Sequence, residues 1–432
     1  HKYDLPHRFS STVLKEARGL TLVPSPQEYK DRVDLRGIPT ITIDGENAKD
    51  FDDAVSIEED KDGGIKLYVS ISDVSHYVKE GTALDEEAYL RGTSVYFPDR
   101  AIPMFPPELS NEICCLHPRV DRLTLTVEMQ YNANRAKREV HFYPSVIRSH
   151  ERLTYTIVKR ILLDGDAKLK KKFEPLVPSL ELMADLSQRL RNKRMERGAL
   201  DFDLPEPEVI LNLQGETEEI IRAERNLAHQ IIEEFMIAAN ETVANFMEES
   251  GSPFIYRIHE PPSGEAMDEF RRFISNLGYK MRKETDRSPK ELQKVLLETK
   301  GRPEERVINN VLLRSMKWAK YSGKNLGHFG LASISYTHFT SPIRRYPDLI
   351  VHRFLKKMLS RGENEISEEM LAKKADHLSH RERVAMEAER EILERYRVRF
   401  MEDKIGEVFD GVISGVTAFG FFVELRDIFV EG

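Results

Sequence analysis

The sequence lacks the features that would commit it to a membrane, an oxidising compartment or a uniformly basic surface. No apolar run in the 432 residues reaches the roughly eighteen that a spanning helix needs. The opening residues, HKYDLPHRFSS, lack the charged, apolar, small-residue order of a secretory leader. A soluble, cytoplasmic protein is expected. The only two cysteines, Cys114 and Cys115, are adjacent, which suits neither an ordinary disulfide nor a spaced metal clasp, so both are expected as reduced core residues. No internal repeat is visible, and the absence of a GxxxxGK[ST] loop excludes ATP chemistry of the Walker type. Positive charge is not in excess: Lys and Arg number 65 against 73 Asp and Glu, a net charge of −8. Contact with a nucleic acid would therefore be local, in a groove or channel, because phosphate binding depends on Lys and Arg.

What is present reads as a mixed α+β protein. Residues 1–35 mix Pro, Ser and charges around one short helical pattern, Ser11 to Ala17, and form a lead-in segment that packs on the downstream domain without forming one of its own. Alternation then appears as Thr40-Ile41-Thr42-Ile43, as Val55 and Ile57, and as Ile65, Leu67, Val69 and Ile71 after the Asp62-Gly63-Gly64 turn: strand, acidic loop, hairpin. A later strand is predicted around Leu123, Leu125 and Val127. Helical spacing marks Ser179 to Arg197, stopped by Gly198, then Arg225 to Glu249, Pro303 to Tyr321, Tyr346 to Leu359 and a highly charged helix from His377 to about Lys404. That last helix is either largely solvated or lines a polar cavity. From Gly406 the composition turns to Val408, Val412, Val416, Phe419, Phe421, Phe422 and Val423 punctuated by glycine, the opening of a small β-barrel. The basic runs Lys168 to Lys172 and Arg189 to Arg197 read as solvated helix faces or as a nucleic-acid entry surface.

The most informative segment is Asp44-Gly45-Glu46-Asn47-Ala48-Lys49-Asp50-Phe51-Asp52-Asp53, which gathers four aspartates between two apolar strands. Like charges so placed repel unless a cation neutralises them. An all-oxygen donor set selects Mg²⁺ or Mn²⁺ in an enzyme, or Ca²⁺ in a structural site, and gives no reason for zinc. The calcium-loop pattern fails, because Ala48 and Lys49 occupy the fifth and sixth positions, where an oxygen donor and glycine belong. Alone the loop also fits a solvated acidic turn. A distant second segment, Tyr336 to Asp348, carries Ser341-Pro342-Ile343-Arg344-Arg345 into a helix start, and guanidinium groups at such a start bind and orient phosphate. Together these are the parts for phosphodiester hydrolysis with two metal ions about 3.5 to 4 Å apart. His259, His328 and His338 sit at no ligand spacing with another metal-binding residue and are expected in the core or along a groove.

The stretches TIDGENAKDFDDA, TSVYFPDRAIPMFPPELSNEICCLHP and HFTSPIRRYPDLIVHR, in that order, resemble the RNase II/RNase R (RNB) family of exoribonucleases. The VDLRG lead and KDFDD place the chain nearer its RNase R branch, and the resemblance runs from about Arg32 to Lys404. It implies an RNB catalytic domain over 36–356, its C-terminal helices over 357–404 and a partial RNA-binding OB-fold over 405–432, with material for about three of five strands. The family's upstream cold-shock-type OB-folds have no counterpart here, so a trimmed piece is expected. The resemblance further implies 3′→5′ hydrolysis of single-stranded RNA to 5′-nucleoside monophosphates, engaged at the RNA 3′ end by a monomer using Mg²⁺, with Mn²⁺ as the alternative. Asp44, Asp50, Asp52 and Asp53 match the family's metal-binding aspartates, and Asp52 matches the one whose loss stops cleavage without abolishing RNA binding. Arg344 matches the arginine on the scissile phosphate, and Tyr96 the aromatic that stacks on the 3′-terminal base, a contact worth about 1 to 3 kcal/mol. Glu389 matches a glutamate near the active site, and His328-Phe329 is a candidate RNA contact. A catalytically silent RNA-binding scaffold, a metal-dependent DNA exonuclease and a calcium-stabilised interaction protein are the rival readings; the presence of all four aspartates with Arg344 opposes the first.

Overall fold

The computed structural model describes residues 2–202, 207–212, 214–283, 288–362, 366–417, 420–426, 428 and 430–432. Its α+β architecture centres on a seven-stranded sheet ordered Val33–Asp34, Lys137–Arg148, Asp121–Tyr131, Ile65–Ser72, Asp53–Glu59, Ile41–Asp44, Glu151–Thr154. The two outermost pairings are parallel and the inner ones antiparallel. The predicted acidic loop joins the strands Ile41–Asp44 and Asp53–Glu59, and Gly63, at φ 73°, closes the next hairpin. Strand Ile65–Ser72 is buried at nearly every position, as expected for a strand covered on both faces. Its hydroxyls are satisfied inside the sheet: Ser70 Oγ lies 2.8 Å from Thr126 Oγ1.

The lead-in segment packs as expected. Helix Ser11–Arg18 puts Val13 and Ala17 into the main apolar cluster, and Val33–Asp34 becomes an edge strand. A buried charge cluster fastens it: the fully buried Asp73 accepts from Arg32 Nη2 at 2.7 Å and from Lys356 Nζ at 2.8 Å on both oxygens. One carboxylate thus ties the lead-in, the end of a central strand and helix Tyr346–Leu359.

Several predicted elements change. The helix expected over Pro303 to Tyr321 runs only from Glu305 to Ser315, and Lys320–Ser322 is a strand paired with Tyr256–Ile258. Met316 turns extended, which lets Tyr321 point into the core while Lys320 stays exposed. The strand at Leu123 extends over Asp121–Tyr131 and pairs with Lys137–Arg148, a strand whose charges and Pro144 hid it. The last long helix starts earlier, at Glu368, with Ser367 accepting from Met370 N, and ends at Glu402. Helix Tyr346–Leu359 runs unbroken across the 356/357 division, which therefore falls inside one element. Beyond Gly406 lies an antiparallel pair, Gly411–Thr417 with Gly420–Leu425, joined by a bridge from Glu424 to Glu431; Phe419 is outside the described residues. Among the described residues no helix is long and apolar enough to cross a membrane.

Candidate active site

The aspartate loop is held from below by a cysteine. Cys115 Sγ accepts from Phe51 N at 3.2 Å and donates to the Lys49 carbonyl at 3.3 Å, while Leu116 N donates to the Phe51 carbonyl at 3.1 Å. Both cysteines are free and buried, as expected, and burial pushes the Cys115 thiol up to about 12. Asp52, only 4% exposed, turns inward, and its Oδ1 accepts from Ile343 N at 2.8 Å. That one bond joins two sequence segments 291 residues apart and brings the Ser-Pro-Ile-Arg turn onto the loop.

The turn is rigid for a separate reason. Asp348, fully buried in the first turn of helix Tyr346–Leu359, accepts from Ser341 N at 2.7 Å and takes a two-pronged ion pair from Arg345, at 2.9 and 2.7 Å. Arg345 is therefore structural. Among the described residues Arg344 has no ion pair, yet its charge acts on both Asp52 and Asp53. Adjacent arginines thus differ in what they are paired with. Arg344→Ala is expected to lower the rate by about 10²- to 10³-fold with little change in melting temperature. Arg345→Ala is expected to destabilise the fold by about 3 to 5 kcal/mol, because it strands the buried Asp348 charge. Urea denaturation and single-turnover cleavage of the two variants check this; equal effects on stability would refute the division.

Tyr96 reaches the cluster through its neighbours. Ser94 N and Thr93 Oγ1 donate to the Arg344 carbonyl at 2.9 and 3.1 Å, and Tyr346 N donates to the Gly92 carbonyl at 3.0 Å. Gly92 sits at φ 72° with Arg381 Cβ 2.7 Å from where a Cβ would be, so the charged helix can lie against this segment only over a glycine. From that helix Glu389 accepts from Tyr96 N at 2.7 Å, and the Tyr96 hydroxyl donates to Asp50 Oδ2 at 3.0 Å. The residue is 43% exposed, an aromatic open to solvent at the site.

The carboxylates are poorly solvated. Burial, and then the charges of Asp53 and Asp50, raises Asp44 to about 8 against the pull of Arg152, and Asp44 Oδ2 is buried without a hydrogen-bond partner. Burial raises Asp53 to about 6 although Arg344 and Arg345 oppose it, and it raises Asp52 well above the ordinary range despite Arg344 and the Ile343 N–H. This is the electrostatics of a site short of positive charge, and the all-oxygen donor set suits a hard divalent cation. As placed, no three Asp, Glu, His or Cys side chains among the described residues converge closely enough to hold an ion between them.

The structure adds residues that sequence inspection passed over. Asp44 pairs in register with Thr154, so Tyr155 stands at the edge of the cluster; burial, and after it the charges of Asp53 and Asp44, raises its hydroxyl pKa. Tyr155 stacks on His229 with ring centroids 3.8 Å apart, and both line a cleft of about 1470 Å³. Arg191, Arg225, Phe202 and Asn309 line it too, the arginines paired with Asp201. Only the basic run Arg189 to Arg197 hinted at this wall. His328 and Phe329 are held by the fold: His328 Nδ1 accepts from Leu331 N at 3.3 Å and its ring packs on His259 and Tyr336, while Phe329 packs on the second apolar cluster. No contact ties either to the carboxylates among the described residues. His338 is buried against Tyr321, whose hydroxyl lies 2.8 Å from its Nδ1.

The chain that carries this loop, turn and cleft belongs to the RNB domain family, which residues 32–361 match. Its similar relatives include the Ribonuclease R of Aquifex aeolicus, 49% identical over 434 residues, covering all of this chain and 61% of that protein. The Ribonuclease R of Escherichia coli is 43% identical over 441 residues, covering all of this chain and 54% of that protein. The fold superimposes with a TM-score of 0.92 and 28% identity on Mycoplasma genitalium RNase R solved with ribose-methylated single-stranded RNA, over all of this chain and 68% of that one. The chain thus spans between half and two thirds of the length of these curated relatives.

Proposed function

We propose that the chain is the catalytic part of a 3′→5′ exoribonuclease that hydrolyses single-stranded RNA to 5′-nucleoside monophosphates with Mg²⁺, or Mn²⁺ in its place. It acts as a cytoplasmic monomer, and residues 405–432 open an RNA-binding OB-fold. The observation that carries this reading is the Asp52 to Ile343 hydrogen bond, because it brings Arg344, which has no ion pair among the described residues, to where its charge acts on Asp52 and Asp53. Asp44, Asp50, Asp52 and Asp53 would hold the divalent ions, whose chemistry when bound is to polarise the phosphodiester and acidify water. Arg344 neutralises the charge that builds on the phosphate. Tyr96 stacks on the terminal base, steadied through its backbone by Glu389 and through its hydroxyl by Asp50. The relatives' names, and the RNA bound in the Mycoplasma genitalium structure, support RNA as the substrate.

The rival reading, a silent RNA-binding scaffold, draws on the carboxylates' failure to converge as placed. One experiment separates them: digestion of a 5′-labelled single-stranded RNA with Mg²⁺, beside the same sequence as DNA, an EDTA control and Asp52→Asn. Stepwise shortening of RNA alone, lost with EDTA and in the variant, is expected. Binding without shortening would favour the scaffold, and equal loss of DNA would remove the RNA specificity.

The carboxylates also predict a pH signature. An acid whose folded pKa is raised binds more protons when folded, so its contribution to stability is present below the unfolded value near 3.9 and is lost as pH rises through the folded value. In the metal-free chain, melting temperature is therefore expected to fall as pH rises through about 6 for Asp53 and about 8 for Asp44. Added Mg²⁺ should recover more of it at pH 8 than at pH 5.5. Calorimetry at both pH values with and without Mg²⁺ checks this; a metal effect independent of pH would count against these carboxylates as its ligands.

A further inference from the structure

The carboxylate loop is gripped by a further arginine, remote from the Ser-Pro turn. Arg152 lies on strand Glu151–Thr154, which runs parallel to Ile41–Asp44, and it stands in register with Thr42, two residues before Asp44. Residues in register on a parallel pair share a face, as do residues two apart on one strand, so Arg152 and Asp44 emerge on the same side of the sheet. Arg152 Nη2 donates to the carbonyls of Gly45 and Glu46, at 2.9 Å each, and its guanidinium carbon lies 4.9 Å from the centroid of the Phe51 ring. Phe51 is buried, packs edge-on against His117 and sits in sequence between Asp50 and Asp52. One side chain thus touches both the limb of the loop that leaves Asp44 and the limb that carries Asp50 and Asp52.

The manner of this grip separates Arg152 from Arg345. Arg345 is matched to a buried carboxylate, Asp348. Arg152 has no ion pair among the described residues and holds the loop through two carbonyls and a ring, so it orders the loop without occupying a carboxylate. The carboxyl of Glu46 is engaged elsewhere, on Thr156 and Thr154. The Arg152 charge nevertheless acts on Asp44, against the charges of Asp53 and Asp50. Because the carboxylates do not converge as placed, they must close on an ion. A backbone already fixed on both limbs confines that closure to side-chain rotation, whereas a free loop of like charges would have to be ordered by the ion itself. We propose that Arg152 is a positioning residue for the divalent ions: it holds the two limbs of the loop together, keeps Asp44 with Asp50, Asp52 and Asp53, and so strengthens ion binding. This deepens the exoribonuclease reading and rests on those aspartates being the metal ligands.

The test compares the parent with Arg152→Met, which removes the grip and the charge, and Arg152→Lys, which keeps the charge but loses the planar fork that reaches two carbonyls and a ring together. Amide hydrogen exchange over residues 45–53 of the metal-free chain reports the order of the loop, and electron paramagnetic resonance of free Mn²⁺ reports ion binding. Arg152→Met is expected to speed exchange in the loop but not in strand Ile65–Ser72, and to weaken Mn²⁺ binding about 10- to 100-fold. Its cleavage rate at saturating Mg²⁺ should return to within about threefold of the parent, since the loss lies in ion affinity and not in the cleavage step. Arg152→Lys should fall between parent and Arg152→Met in both exchange and affinity; should the methionine variant loosen the whole fold, the lysine variant carries the same comparison. Unchanged Mn²⁺ affinity, weakened affinity with loop exchange as in the parent, or a lysine variant that matches the parent overturns the proposal and leaves the exoribonuclease reading in place. A parent chain that binds no Mn²⁺ overturns the metal reading and this inference with it.

Discussion

Asp52→Asn is expected to reduce cleavage by at least about 10²- to 10³-fold while RNA binding persists and the melting temperature holds or rises. The side chain is buried, and its Oδ1 accepts from Ile343 N, a role that an asparagine oxygen fills equally well. Geometry is therefore preserved, and the Arg344 turn stays in place. What disappears is one negative charge in a site where burial already holds the carboxyl pKa well above its ordinary range. Removing it relieves the folded state and takes away a carboxylate proposed as a metal ligand, together with a partner for the Arg344 charge. Activity and stability thus move in opposite directions, which a merely structural residue would not do. Single-turnover cleavage, anisotropy with the same RNA and thermal melting give the three readouts; cleavage within tenfold of the parent, or a large loss of melting temperature, would refute the assignment.

Asp73→Asn is expected to destabilise the fold by about 3 to 5 kcal/mol. Its carboxylate is fully buried, accepts from Arg32, Lys356 and Ser75 Oγ, and is held far below the ordinary range: burial opposes ionisation, but Lys356 and then Arg32 outweigh it. An amide keeps the shape but leaves two cations without a counter-charge, one of them 7% exposed. The sign of the pH dependence is set by that depression. A depressed carboxylate contributes stability that is present above its unfolded value near 3.9 and is lost as pH falls through the folded value. The gap between parent and variant in urea denaturation should accordingly be full at pH 7 and close only in strong acid; a gap unchanged down to pH 2 would refute the ion-pair account. Activity should fall only as folding does, since Asp73 is no part of the cleavage chemistry.

Much of this protein was legible in its sequence. Period-two alternation at Ile65, Leu67, Val69 and Ile71 and helical spacing over Tyr346 to Leu359 are local properties, and the structure reproduces both. So is the crowding of four aspartates between two strands. The strand Lys137–Arg148 was not legible, because its charged start and Pro144 pair on one side only, with Asp121–Tyr131, the parallel pairing with Val33–Asp34 beginning at Ser145. The end of helix Glu305–Ser315 was hidden for a similar reason: the demand of Tyr321 for the core overrode a continuing helical pattern.

The composition of the site belongs to the sequence, and its arrangement to the tertiary structure. Four carboxylates and two arginines can be named from residue types alone, because charge is a property of single side chains, while Tyr96 was legible only through the family resemblance. Which arginine is left without an ion pair among the described residues cannot, since Arg344 and Arg345 are the same residue one position apart, and only Asp348, folded back onto Arg345 and Ser341 N, separates them. Nor can the unpaired side-chain oxygen of Asn309 be seen before its helix packs and leaves that oxygen without a partner. Hydrogen-bond satisfaction and burial are relations between segments distant in the chain, so only the folded molecule decides them.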